Sequence, residues 1–290
     1  MASLKEVKGR IATVNNTRKI TSAMKMVASA KLHKAQGAIT NMLPYERRLH
    51  GLLTNLLGGG EVLVWNTPRE VKRVALVVFS SNSSLCGGFN ANVIKHATQW
   101  LNEYQALGKD NILLYPVGKK VAEALSKMGY AVQGNFQHLA DKPSFAEAAE
   151  LAQGLMNLFT QGEIDRVELL YNHFKSTASQ ILTREVYLPF LLSSPEQSEE
   201  ARKHQEETDY ILEPSREELL ETLLPKVLRM KLYTVLLDSN ASEHAARTMA
   251  MQIATDNADD LLQELTLMYN KTRQQAITNE LLDIVGGSMA

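Results

Sequence analysis

Residues 226–285 contain neither proline nor glycine: the last proline is Pro225, and no glycine stands between Gly162 and Gly286. A run of about 60 residues with no breaker would be, as one helix, about 90 Å long. An ordinary globular helix has about 12 residues. A helix this long needs a partner along its whole extent. Its apolar and small residues recur at alternating steps of three and four: Val227, Met230, Thr234, Leu237, Ala241, His244, Thr248, Met251, Thr255, Ala258, Leu262, Leu265, Tyr269, Thr272, Ala276.

The other end of the chain carries a matching track. It runs Leu4, Val7, Ile11, Val14, Thr17, Thr21, Met24, Ala28, Lys31, Ala35, Ala38, Met42, with Pro44 the one proline before Leu57. Spacings of this kind belong to coiled-coil packing. Because the two segments lie at opposite ends of one chain, the simplest arrangement is an intramolecular antiparallel pair, with small seam residues letting the backbones approach. Spacing alone leaves two roles open, a hairpin that is only architecture and one with a mechanical task.

Between the ends the pattern changes. The β-branched run "RVALVVF" (73–79) reads as a buried strand, and 111–117, 131–136, 165–174 and 181–190 are further strand candidates. Helical patterns cover Asn90–Leu107, Lys119–Met128 and Ser144–Thr160. Alternating strand and helix argue for an α/β layer with a largely parallel sheet. The charged stretch 193–218 then leads into the long helix. The expected plan is an N-terminal helix (1–60), an inserted α/β domain (70–195), a connector (196–214) and a C-terminal helix (215–287).

Few residues invite catalytic chemistry. The loop "SSNSSLCGGFNANV" (80–93) follows a strand and precedes a helix, where phosphate can sit on helix amides. It matches neither GxGxxG nor a P-loop, however, and a tight turn capped by Asn90 accounts for the same residues. The single cysteine, Cys86, reads as a packing residue. The histidines form no ligand pattern, and no CxxC exists for zinc. With one cysteine, no apolar run of about 18 residues and a charged N-terminus, a chain inside a cell is expected.

Charge is distributed with more purpose. A net charge of −1 argues against a nucleic-acid binder, and the basic N-terminal segment lacks aromatic residues for base stacking. That segment carries Lys5, Lys8, Arg10, Arg18, Lys19, Lys25, Lys31, Lys34, Arg47 and Arg48 against Glu6 and Glu46. The distal C-terminal segment is acidic, with Asp256, Asp259, Asp260, Glu264, Glu280 and Asp283 against Lys271 and Arg273. Opposite signs support the antiparallel pairing. The cations left over around residues 15–36 point to a protein partner.

The segments "LKEVKGRIATVNNTRKITSAMKMVASAKLHKAQ" (4–36), "LCGGFNAN" (85–92), "DYILEPS" (209–215) and "LDSNASEHAARTMAMQIATDNADDLLQELTLMYNKTRQQAITNELLDIVGG" (237–287) resemble the γ subunits of F-type ATP synthases. The resemblance spans essentially the whole chain, and "SEHAARTMAM" with "ITNELLDIVGG" is its most specific part. It implies an antiparallel coiled coil of the terminal helices inside an α3β3 hexamer, with a Rossmann-like domain toward the c-ring and beside the ε subunit. It also implies a rotor that couples ion flow to ATP synthesis on β, without an active site, cofactor or metal of its own.

Carried over residue by residue, the resemblance implies β-subunit contacts at Arg18, Lys19, Met24 and Lys25, and at Arg273, Gln274, Thr278 and Glu280. Contacts with the c-ring and ε fall on Glu206, Glu207, Asp209 and Tyr210. The apolar residues Ile277, Leu281, Leu282, Ile284 and Val285 need not belong to a core of this chain, since they can lie in the sleeve of α and β subunits. The loop departs from the family's common "SDRGLCGG" form, so an Asp–Arg pair made there is absent. A bacterial origin and a peripheral place on the cytoplasmic face of the inner membrane are expected, with membrane association only through the Fo sector. Two other classes make different predictions. An α/β enzyme with dimerising arms would bind substrate alone, and a static adaptor would bind without coupling.

Overall fold

The computed structural model describes residues 3–57, 65–190, 212–213 and 215–288. The elements run α1 (Leu4–Leu57), β1 (Val74–Phe79), α2 (Phe89–Glu103), β2 (Ile112–Val117), α3 (Lys119–Lys127), α4 (Gln137–Asp141), α5 (Phe145–Thr160), β3 (Arg166–Ser176), β4 (Ser179–Leu188) and α6 (Arg216–Ser288). Two compact units emerge, one of Met1–Ala30 with Arg247–Ala290 and one of Lys31–Ala246. The expected foot residues Glu206, Glu207, Asp209 and Tyr210 lie outside the described residues.

Both long helices begin with the same device. The Ser3 hydroxyl accepts the Glu6 amide at 3.2 Å, and the Ser215 hydroxyl accepts the Glu218 amide at 3.3 Å. Serine followed three residues later by glutamate is a capping-box sequence, which satisfies amides the helix itself leaves unpaired. Helix α6 starts nine residues before Pro225 and carries it inside, as α1 carries Pro44. An internal proline costs a helix about 3 kcal/mol. Around Pro225 that cost is offset by Leu220, Leu224 and Leu228, all completely buried.

In the unit Lys31–Ala246, a four-stranded sheet has the order β2-β1-β3-β4. Strand β1 pairs in parallel with β2 and β3, while β4 runs antiparallel to β3 at the edge. The central strand VALVVF is buried at all six positions because both faces are covered. Ala75, Val77 and Phe79 face α5, the 216–236 part of α6, and Leu49, Leu53 and Leu56 of α1. Val74, Leu76 and Val78 face Val93, Ala97, Trp100 and Leu101 of α2 and Val121 and Leu125 of α3. The result is a layered domain with a mixed sheet in its middle.

Three expectations need correction. Residues 131–136 form no strand; only Val132 bridges to Leu114, and Gly134 turns the chain at φ +67°. Helix α2 ends at Glu103, and short 3-10 turns follow at Gln105–Leu107 and Lys109–Asn111. Asn90 does not cap α2, whose N-cap is Gly88. Its side chain instead reaches back into the loop, accepting the Ser81 amide at 3.1 Å and donating to the Ser83 carbonyl at 3.3 Å and to Cys86 Sγ at 3.1 Å.

Candidate functional site

In the unit formed by the chain ends, α1 and α6 run antiparallel. Arg18 Nη1 donates to Asp259 Oδ1 at 2.8 Å, and the hydroxyls of Thr21 and Thr255 lie 2.8 Å apart. Paired positions therefore sum to about 277, so Leu4 comes opposite the region of Arg273. The observed seam on α1 is a regular heptad. Leu4, Ile11, Arg18 and Lys25 alternate with Val7, Val14, Thr21 and Ala28, all buried or half-buried. The expected seam position Thr17 is exposed, displaced by Arg18. In the other unit Lys31 is likewise exposed, and its place is taken by Leu32, which packs with Ala35, Ala241 and Ala245. At Arg18 a charged residue in the seam hid the register, whereas at Leu32 the expected three-four count itself ran one residue short.

The partner track on α6 holds throughout: every position from Val227 to Thr272 is buried or half-buried, and Ala276 is exposed. The seam stops opposite Leu4, where α1 begins. From Arg273 to Val285 every side chain of α6 is exposed. Leu282 and Ile284 are 63% and 68% exposed, and Ile277, Leu281 and Val285 are close behind. A terminal helical arm of this kind is held only as the extension of a longer helix, since an isolated stretch of its length is marginal in water.

The expected contact residues fall into two groups. Arg273, Gln274, Thr278 and Glu280 are all on the exposed arm, where the Thr278 hydroxyl only donates back to the Gln274 carbonyl. Lys19 is exposed, whereas Met24 and Lys25 are half-buried and Arg18 is held by Asp259. An ion pair this exposed contributes at most about 1 kcal/mol, so Arg18 is readily released to another acidic partner. Sequence reasoning missed a set of outward apolar residues: Ile20, Met26 and Val27 on α1, and Ile253, Leu261, Leu267 and Met268 on α6. Met26 is 64% exposed and Leu267 71%. Large apolar side chains off the seam were the signal that would have found them.

The loop 80–93 is filled by its own side chains. Besides the Asn90 contacts, Asn82 donates to the Gln137 carbonyl and to Asp141 Oδ2 and accepts the Lys119 amide at 2.8 Å. A carboxylate and a closed hydrogen-bond network leave no cradle for phosphate. Cys86 is buried there as a packing residue. Among the described residues no group of three acidic, histidine or cysteine side chains could hold a metal, and no helix is long and apolar enough to cross a membrane.

Comparison with known proteins decides the family. A family model described as ATP synthase matches residues 3–290. The ATP synthase gamma chain of Phocaeicola vulgatus is 68% identical over 292 residues, covering 100% of both chains. That of Bacteroides fragilis is 64% identical over 294 residues, again covering 100% of both. The chain belongs to the ATP synthase gamma chain family.

Solved structures agree with this membership. A chain from the cryo-EM structure of the Tetrahymena thermophila mitochondrial ATP synthase central stalk and c-ring matches with a TM-score of 0.56 at 25% identity, covering 81% of this chain and 99% of that one. A chain from the rotor of the Euglena gracilis mitochondrial enzyme shares the fold, with a TM-score of 0.62 at 20% identity over 94% of this chain and 98% of its own. In this gamma-chain family member, the arm from Arg273 to Val285 leaves its side chains exposed. Deleting residues 273–290 is therefore expected to change the unfolding free energy of the full chain by less than about 0.5 kcal/mol. Thermal melting followed by far-UV circular dichroism checks this. A large loss would mean that the arm packs on its own chain.

Proposed function

We propose that this chain is the central rotor shaft of an ATP synthase, a non-catalytic subunit that couples rotation of a c-ring to ATP synthesis or hydrolysis on β subunits and regulates both ATPase activity and proton flow. The observation that carries the reading is the end of α6, where a helix leaves its partner near Arg273 and exposes Ile277, Leu281, Leu282, Ile284 and Val285. An apolar end without a core of its own suits a sleeve built by other subunits. Polar neighbours such as Gln274, Thr278 and Glu280 keep each contact weak enough to exchange as the shaft turns.

In this reading the terminal helices are an antiparallel coiled coil, and residues 70–195 form a Rossmann-like domain between them, with 196–214 as the connector. Arg18, Lys19, Met24 and Lys25 meet β subunits from α1, and Arg273, Gln274, Thr278 and Glu280 meet them from α6. Glu206, Glu207, Asp209 and Tyr210 meet the c-ring and ε. The chain works at the cytoplasmic face of the bacterial inner membrane, as a peripheral component attached through the Fo sector.

Reconstitution tests this directly. Added to α and β subunits, the chain is expected to raise ATP hydrolysis by the assembled α3β3 and to bind no nucleotide alone. Equal turnover with and without it would remove the shaft reading. Stable binding without any effect on turnover would favour a static adaptor.

A further inference from the structure

We propose that residues 238–242 of α6 form a torsional lock, gripping the helix from opposite sides so that the sheet domain cannot turn about it. The inference rests on the shaft reading and adds to it the place where torque enters the helix. Along most of α6 in this unit, one face is covered and the other is exposed. Between Ser239 and Ala245 the helix is buried at seven consecutive positions, which means that protein surrounds it on every side.

The contacts there are polar and directional. Asp238 Oδ1 accepts the Phe174 amide at 2.7 Å, and its Oδ2 lies 2.6 Å from His173 Nδ1. One turn on, the Ser242 hydroxyl donates to the Asn172 carbonyl at 2.8 Å. All three bonds go to β3. The Asn240 amide donates in another direction, to the Ala140 carbonyl of α4 at 2.7 Å. At about 100° per residue, Asp238 and Ser242 share one side of the helix, and Asn240 lies about 160° away from both. Ala241 and Ala245 fill a third direction, against Leu32 and Ala35 of α1.

Above this collar, residues 220–236 meet the sheet mainly through leucines and valines, with one buried bond, from the Tyr187 hydroxyl to the Leu228 carbonyl at 2.9 Å. Lys231 meets Glu185 and Arg229 meets Gln153 at the margin, so among the described residues opposed buried grips occur only at the collar. Apolar burial is non-directional and resists rolling of a helix about its axis only weakly. Buried hydrogen bonds fix azimuth, because each is costly to leave unmade. Rolling α6 in either direction pulls Asn240 from α4 while it pulls Asp238 and Ser242 from β3. Two grips on opposite sides oppose a couple, and a couple is what a rotating domain applies to its axle.

The test uses the complete complex in proton-tight vesicles, with the chain carrying Asp238→Ala, Asn240→Ala and Ser242→Ala together. The expected result is ATP hydrolysis within about twofold of the parent, protons pumped per ATP reduced several-fold, and Phe174 amide exchange about fivefold faster, the loss of one hydrogen bond. Asp238→Asn, which keeps an acceptor for the Phe174 amide, is expected to pump like the parent. If the triple variant does not assemble, Asn240→Ala alone removes one of the opposed grips and is read in the same way. Unchanged pumping per ATP, with Phe174 exchange either accelerated or not, overturns the lock. Hydrolysis by α3β3 that ignores the presence of the parent chain overturns the shaft reading instead.

Discussion

Gly118→Ala is expected to destabilise the unit Lys31–Ala246 by about 3–5 kcal/mol, more than any other single methyl group added at its glycines. Gly118 joins β2 to α3 with φ +115° and ψ 144°, a region that L side chains rarely adopt. A Cβ built there would stand 2.2 Å from the Ser80 carbonyl oxygen and 2.6 Å from the Ser80 hydroxyl. Ser80 cannot retreat cheaply. Its amide donates to the Val117 carbonyl at 2.7 Å, and its hydroxyl accepts the Val121 amide at 3.1 Å. Gly108→Ala is the control, since φ is +83° but nothing lies within 4 Å of the added carbon. It is expected to cost only the backbone strain, about 1–2 kcal/mol. Urea unfolding followed by Trp100 fluorescence separates the two, because Trp100 is buried in this unit. Equal losses would mean that the Ser80 contact relaxes freely.

Glu168→Ala is the second large effect, with an expected loss of about 3 kcal/mol. Glu168 is completely buried on β3, on the face covered by α2. Its carboxylate accepts Arg184 Nε at 2.9 Å and the Tyr104 hydroxyl at 2.8 Å, and it pairs with Arg166. Arg184 also reaches Glu103 at 2.5 Å and lies over the Trp100 ring. Burial and the bond to Glu168 together push the Tyr104 hydroxyl above its usual range. Removing the carboxylate leaves a cavity and two arginines that have lost their buried partner. Glu168→Gln keeps the volume and one acceptor, so about half the loss is expected. A loss no larger for alanine than for glutamine would show that the charge, and not the packing, sets the cost.

Much of the fold was legible because its signals are local. The α6 track from Val227 to Thr272 needed only spacing, strand β1 needed only its β-branched run between polar residues, and β2, β3 and β4 fall on the further strand candidates 111–117, 165–174 and 181–190. Residues 131–136 failed because Gly134 ends the extension that their apolar content suggested. The α1 register failed at Thr17 for another reason: Arg18 occupies a seam position through an ion pair with Asp259, a residue 241 positions away, and at Lys31 the seam is held instead by Leu32 against Ala241 and Ala245. No local pattern carries that information. The outward apolar residues were visible as letters, but their exposure depends on which face of the pair each occupies.

By itself the sequence indicated the two long helices, an antiparallel pair as their simplest arrangement, and the family, because breaker-free segments with matching three-four tracks at the two ends of one chain can cover each other. Tertiary structure alone decided where that cover ends, near Arg273, and which buried polar groups close on one another. Glu168 with Arg184, and Asn240 with the Ala140 carbonyl, are pairs distant in sequence whose worth arises only once water has been removed from around them. An unpaired polar group in such surroundings is costly, so its partner must be built by the fold, and no stretch of sequence names that partner.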